Sequence, residues 1–141
     1  MNWIFLGLMS AFFFGAYNVF IKVASGHINQ IVGAVILQVV AALVGGAILL
    51  ILKFSHAPLA ISQKGIAYAA LAGVMVGLAE ITSFYMFSKG VSASIGVPLV
   101  IGGSILVAAV LGLFFLRETI MPLHYLGIAL IIGGVVLLTA K

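Results

Sequence analysis

The chain has no cysteine, no aspartate and only two glutamates, Glu80 and Glu118, among 141 residues. Without thiols there is no disulfide, no thiolate nucleophile and no sulfur-ligated metal centre. Two carboxylates far apart in sequence do not suggest the paired acids of a hydrolase, and no set of nucleophile, base and orienting group can be assembled from the rest, so an enzyme is not expected. The histidines, His27, His56 and His124, are also far apart and lack metal-ligand spacing. Charged side chains amount to 6% of the chain, whereas an ordinary soluble domain carries about 25%. A small soluble domain keeps much of its surface in water, and two acids with six bases cannot clothe such a surface.

What is present is apolar. Hydrophobic residues make up 65% of the chain, and the mean hydropathy is +1.44. Lipid is the solvent this composition fits. The formal charge of +4 comes from Lys22, Lys53, Lys64, Lys89, Arg117 and Lys141, scattered singly. A nucleic-acid surface needs such residues clustered, so no nucleic-acid partner is expected. Single cations beside apolar runs read instead as headgroup contacts and topology signals.

About 20 apolar residues carry a helix across the hydrocarbon core. Five runs qualify, at 3–23, 31–52, 66–87, 91–116 and 121–140. The expected fold is therefore all-α, a polytopic transmembrane bundle of five helices forming one domain over 1–141. The first run lacks a basic leader and a small-residue cleavage site, so it is expected to be a retained helix. Ser88-Lys89-Gly90 and Arg117-Glu118-Thr119 make tight connections, which sets runs three to five as successive antiparallel neighbours. The segment 53–64, with Pro58, is the longest connection.

Alternating the runs across the membrane puts Lys53, Lys64 and Arg117 on the face holding the N-terminus and Lys22, Lys89 and Lys141 on the other. Three against three gives the positive-inside rule nothing to choose between. Either a partner sets the orientation or the chain inserts both ways, and dual insertion permits an antiparallel homodimer that reproduces an inverted repeat.

Helices in lipid associate through small residues and occasional polar groups. Ala11, Gly15, Asn18 and Lys22 share one helical face, as do Ala34, Gln38, Ala41 and Gly45, and likewise Gly73, Gly77, Glu80 and Phe84. Gly127 and Gly134, with Gly133 adjacent, mark a packing face on the fifth run. Glu80 stands about 15 residues into its run, roughly 22 Å along a helix. Hydrocarbon disfavours its ionised form unless the group is protonated, paired or hydrated. Proton or substrate binding is one reading of Glu80, and a structural hydrogen bond or ion pair is the other.

Asn18 is expected at the depth of Glu80 and Lys22 one turn beyond, so the three can form a cluster. Lys22 can equally snorkel to the interface. Gln38 lines the same cavity or bonds a neighbouring helix. Pro98 removes a backbone donor inside the fourth run and predicts a kink. Glu118 beside Arg117 reads as a local ion pair or a helix-start charge.

Several of these residues resemble a known pattern. The segment 116–138, Leu-Arg-Glu-Thr-Ile-Met-Pro-Leu-His-Tyr-Leu-Gly-Ile-Ala-Leu-Ile-Ile-Gly-Gly-Val-Val-Leu-Leu, is similar to the closing signature of the EamA domain, with Glu118, Gly127 and Gly134 in its marked places. Gly15, Asn18 and Lys22 resemble its opening pattern, and Lys89-Gly90-Val91-Ser92-Ala93-Ser94 with Pro98 resembles the start of its fourth helix. The resemblance runs along the whole chain and implies the drug/metabolite transporter superfamily, whose commoner members carry ten helices as two inverted halves. This chain resembles one half, a single EamA repeat. The glycines of the fifth run are similar to the dimerisation helix of the small multidrug resistance proteins, though Glu80 lies in the third run and theirs in the first.

The expectation is thus a secondary transporter, or half of one, for a small metabolite or amphipathic compound in a bacterial or archaeal cytoplasmic membrane. Its route would be lined by Asn18, Lys22, Gln38 and Glu80, with a proton gradient as the energy source and no cofactor. Pairing with a second copy or a homologous subunit is implied. The alternatives are a subunit of a flippase for polyprenyl-phosphate conjugates and a non-transporting assembly subunit.

Overall fold

A computed structural model describes residues 2–119 and 121–140. Met1, Ile120 and Lys141, the last of the six cations counted above, lie outside the described residues. The described residues form five α-helices and no strand: α1 (Trp3–Ala24), α2 (Gln30–Phe54), α3 (Gln63–Ser88), α4 (Ala93–Phe114) and α5 (Pro122–Thr139). All five are long and apolar enough to cross a membrane. The shortest, α5, has 18 residues, or about 27 Å of rise against a core of about 30 Å.

The helix ends follow local chemistry rather than hydropathy. Asn29 caps α2, its Oδ1 accepting from the backbone N–H of Ile31 and Val32. Ser62 caps α3, its Oγ accepting from the N–H of Gly65 at 3.1 Å. α3 consequently begins three residues before the apolar run, because Gln63, Lys64 and Gly65 complete a polar first turn that a hydropathy reading leaves out. α4 is instead shorter than its run at both ends, spanning Ala93–Phe114. Its last turn widens: Leu116 N–H donates to the Leu111 carbonyl and Glu118 N–H to the Gly112 carbonyl, with Arg117 at a φ of 55°. Pro122 opens α5, where its missing N–H costs no helical bond.

The end of α2 is a Schellman turn. His56 N–H donates to Lys53 C=O, Ala57 N–H donates to Leu52 C=O, and His56 takes a φ of 52°.

The chain divides into two compact units, one of Met1–Asn18 with Val91–Lys141 and one of Val19–Gly90. In the first, α4 and α5 pack closely where the Val135 side chain fills the space a side chain on Gly102 would need. α4 continues without interruption through Pro98. Beside this contact lies an apolar groove of about 330 Å³, lined by Pro98, Gly102, Gly134 and Val135 among others. No residue of α5 is buried.

In the second unit Gly33 of α2 lies against Phe84 of α3, and Gln38 lies against Gly77. Rising numbers on one helix meet falling numbers on the other, so α2 and α3 are antiparallel. The buried residues of this unit gather toward one end: Ile21, Ser25, Gly33, Ala34, Glu80, Ser83, Phe84 and Phe87. Toward the other end every residue of 39–56 and 58–76 is exposed. Gly45, Gly46 and Gly73 there have no atom within 4 Å of where a Cβ would stand.

Candidate functional site

Among the described residues Glu80 is the one side-chain carboxylate within a membrane-crossing helix, and it is only 4% exposed. Its burial follows from its place on α3, one turn beyond Gly77 and one before Phe84, on the face that meets α2. The absence of a side chain at Gly77 lets the Gln38 amide lie flat on the helix, its Oε1 3.3 Å from the position of an added Cβ. Gln38 and Glu80 are thus brought to neighbouring turns of the same interface. They mark the place where the packed end of the unit gives way to the open end.

Asn18 belongs to the first unit and is 3% exposed. Its Nδ2 donates to the carbonyl of Phe14 at 2.7 Å, within α1 itself. That bond satisfies a polar group at a depth where water is scarce.

Lys22 is half-buried and reaches across to α3, its Nζ donating to the carbonyl of Phe87 at 3.2 Å. The C-terminal carbonyls of a helix carry a partial negative charge, which suits a cation. One turn beyond Lys22, Ser25 Oγ donates to the Lys22 carbonyl at 2.8 Å. Lys22 therefore joins two helices rather than simply reaching for the headgroups.

Glu118 lies where the chain leaves α4, in the connection to α5. Its carboxylate is folded back over the end of α4, Oε2 lying 2.7 Å from where a Cβ on Gly112 would stand. The widened last turn of α4 puts it there, and only a glycine at 112 leaves the room. Of the packing glycines on α5, Gly127 and Gly133 face open space, and Gly134 lines the apolar groove against α4.

Ser83, Phe84 and Phe87, together with Gly33 and Ala34, were not singled out together from the sequence. Apolar and small residues occur throughout every span, and only the pairing of α2 with α3 shows which of them meet.

The profile of the EamA-like transporter family matches residues 1–140. The chain belongs to the EamA-like transporter family. This EamA protein is 34% identical over 137 residues to an uncharacterized protein of Methanocaldococcus jannaschii, covering 96% of this chain and 95% of that one. It is 31% identical over 137 residues to a Sinorhizobium protein described as an uncharacterized transporter in the cobO 3′ region, covering 97% of this chain and 96% of that one. No solved structure matches it. The match of a single five-helix EamA unit agrees with the resemblance to one repeat of the drug/metabolite transporter superfamily. The EamA chain is an integral membrane protein of the transporter kind.

Proposed function

We propose that the chain is half of a secondary transporter, acting as a homodimer, that moves a small metabolite or amphipathic compound and draws on a proton gradient. The observation that supports this most is the burial of Glu80 inside a lipid-crossing helix, one turn from Gly77 where the Gln38 amide rests. Hydrocarbon favours the neutral carboxyl and water the carboxylate, so a group that alternates between the two can take up a proton on one side and release it on the other. In this reading Gln38 and Glu80 line the route, together with Asn18 and Lys22.

α5 serves assembly. No residue of this helix is buried, and its glycines at 127 and 133 face open space. Small residues of this kind let a second copy approach closely in lipid. The even split of cations between the two faces supports an antiparallel pair.

Uptake by proteoliposomes, with and without an imposed pH gradient, tests the reading. The expected result is accumulation of one or more solutes only when the gradient is present. A broad panel of metabolites and amphipathic cations, none of which moves under either condition, would refute it.

A second reading, a subunit of a carrier for lipid-linked substrates, is favoured by one feature. The groove between α4 and α5 is wholly apolar in its lining and open to the surroundings, with a volume of about 330 Å³. Transbilayer movement of a polyprenyl-phosphate probe, without uptake of any soluble compound, would favour this reading over the first.

A further inference from the structure

We infer that α2 is a contact between two antiparallel copies of the chain, in which the Gln38 amide of each copy hydrogen-bonds to the helix backbone beside Gly45 of the other. The inference rests on the antiparallel homodimer proposed above and names a contact for it that α5 does not supply.

Gln38 stands well inside α2, about 12 Å past its first residue, Gln30, at a depth where water is scarce. A primary amide has two donors and a carbonyl acceptor, and hydrocarbon can meet none of them. Asn18, Thr82 and Ser104 solve the same problem inside their own helices, each donating to a backbone carbonyl of the preceding turn. Gln38 does not. Among the described residues its amide makes no hydrogen bond. It rests on Gly77, which has no side chain to answer it, and it is only half-buried. A lipid tail cannot supply the partner; a second helix can.

The residues around Gln38 suit a second copy of α2. The apolar stretch of this helix runs from Ile31 to Leu52, between Gln30 and Lys53, so its centre falls between Ala41 and Ala42. Gln38, Ala41, Ala42 and Gly45 follow helical spacing and share one face. Turned over about a two-fold axis at that centre, the face matches itself. Ala41 meets Ala42, and Gln38 meets Gly45, each of the latter two about 5 Å from the axis. Gly45 has no atom of its own chain within 4 Å of where a Cβ would stand, and Ala41, Ala42 and Gly45 are all exposed. Two helices can thus approach closely there, and a helix carbonyl beside the glycine keeps a second lone pair for the incoming N–H. The even split of cations between the two membrane faces permits the antiparallel arrangement.

The chain has no cysteine, so one introduced thiol reports on one contact. In membranes oxidised with copper phenanthroline, Ala42→Cys, beside the axis, should link two chains through a disulfide. Leu49→Cys should not, because in the antiparallel pair its two copies stand about 22 Å apart along the helix, whereas in a parallel pair they meet. Val40→Cys, near the same depth but on the opposite face of α2, should also stay unlinked. Linking at either control to the level of Ala42→Cys would overturn the inference.

Gly45→Leu should abolish the link at Ala42→Cys, whereas Gly46→Leu, equally open in the chain but off the face, should leave it. Equal effects would overturn the contact. Gln38→Leu keeps the bulk and removes the amide. On dilution in mild detergent, the protein concentration at which half the link is lost should rise about tenfold, as expected for two interhelical hydrogen bonds. No shift there would refute the role of Gln38. Gly133→Cys, on α5, separates this inference from the reading beneath it. A link at 133 with none at 42 keeps the homodimer and sinks the α2 contact, and no link at either position sinks both. A link at 42 without gradient-driven uptake keeps the contact and sinks the transporter.

Discussion

The ring of Phe84 occupies the space that a side chain on Gly33 would need, and this one contact sets the distance between α2 and α3 at their packed end. Phe84 is 2% exposed and has no open side into which to retreat. Gly33→Ala should therefore cost about 1–3 kcal/mol, the usual penalty of overpacking. Thermal unfolding in a mild detergent would show it as a lowered Tm, and an unchanged Tm would mean that the helices part more easily than the packing implies.

On α4 two adjacent glycines should behave oppositely. Gly102 meets Val135 of α5, whereas Gly103 faces open space. Gly102→Ala should destabilise the α4–α5 pair by about 1–3 kcal/mol. Gly103→Ala should be neutral or gain up to about 1 kcal/mol from helix propensity. The comparison of the two Tm values is the measurement, and equal effects would contradict the assigned faces.

His56 holds a left-handed conformation at the end of α2, with a φ of 52°. A residue with a Cβ is strained there by about 1–2 kcal/mol, and glycine is not. His56→Gly should raise the Tm, and His56→Ala should give no such gain. A gain from alanine equal to that from glycine would place the effect in the imidazole rather than in the backbone.

Glu80→Gln keeps the size of the side chain and removes its proton chemistry. Gradient-driven uptake in proteoliposomes should fall to the level seen without a gradient, while the protein elutes as before from a sizing column. Persistence of the pH response would remove Glu80 from the coupling mechanism.

Reporter fusions in the loop between α2 and α3 and at the C-terminus address the balanced cations. Signals from both sides of the membrane are expected at each position. A single orientation would exclude the antiparallel homodimer and point to a parallel pair or a homologous partner.

Much of this could be read from composition. Five apolar runs separated by single cations and turn formers admit no other solvent than lipid, and in lipid a chain without strand pairing must satisfy its backbone as helices. The number of helices and their alternation therefore follow from residue order alone, as does the isolation of Glu80 among apolar neighbours. The ends of the helices were less legible. Gln63 and Lys64 are polar yet helical because Ser62 caps them, and the end of α4 is shorter than its hydropathy because the chain widens at Leu116 and turns at Arg117.

Which small residues carry contacts was decided only in three dimensions. Gly33, Gly77, Gly102 and Gly112 are met by Phe84, Gln38, Val135 and Glu118, while Gly45, Gly73 and Gly127 meet nothing. Nothing distinguishes these glycines along the chain, because periodicity gives the face of a helix but not its neighbour. The partner of Lys22 is of the same kind: a lysine near a helix end has the headgroups within reach in any membrane protein, and only the approach of α3 to α1 supplies a carbonyl as the alternative.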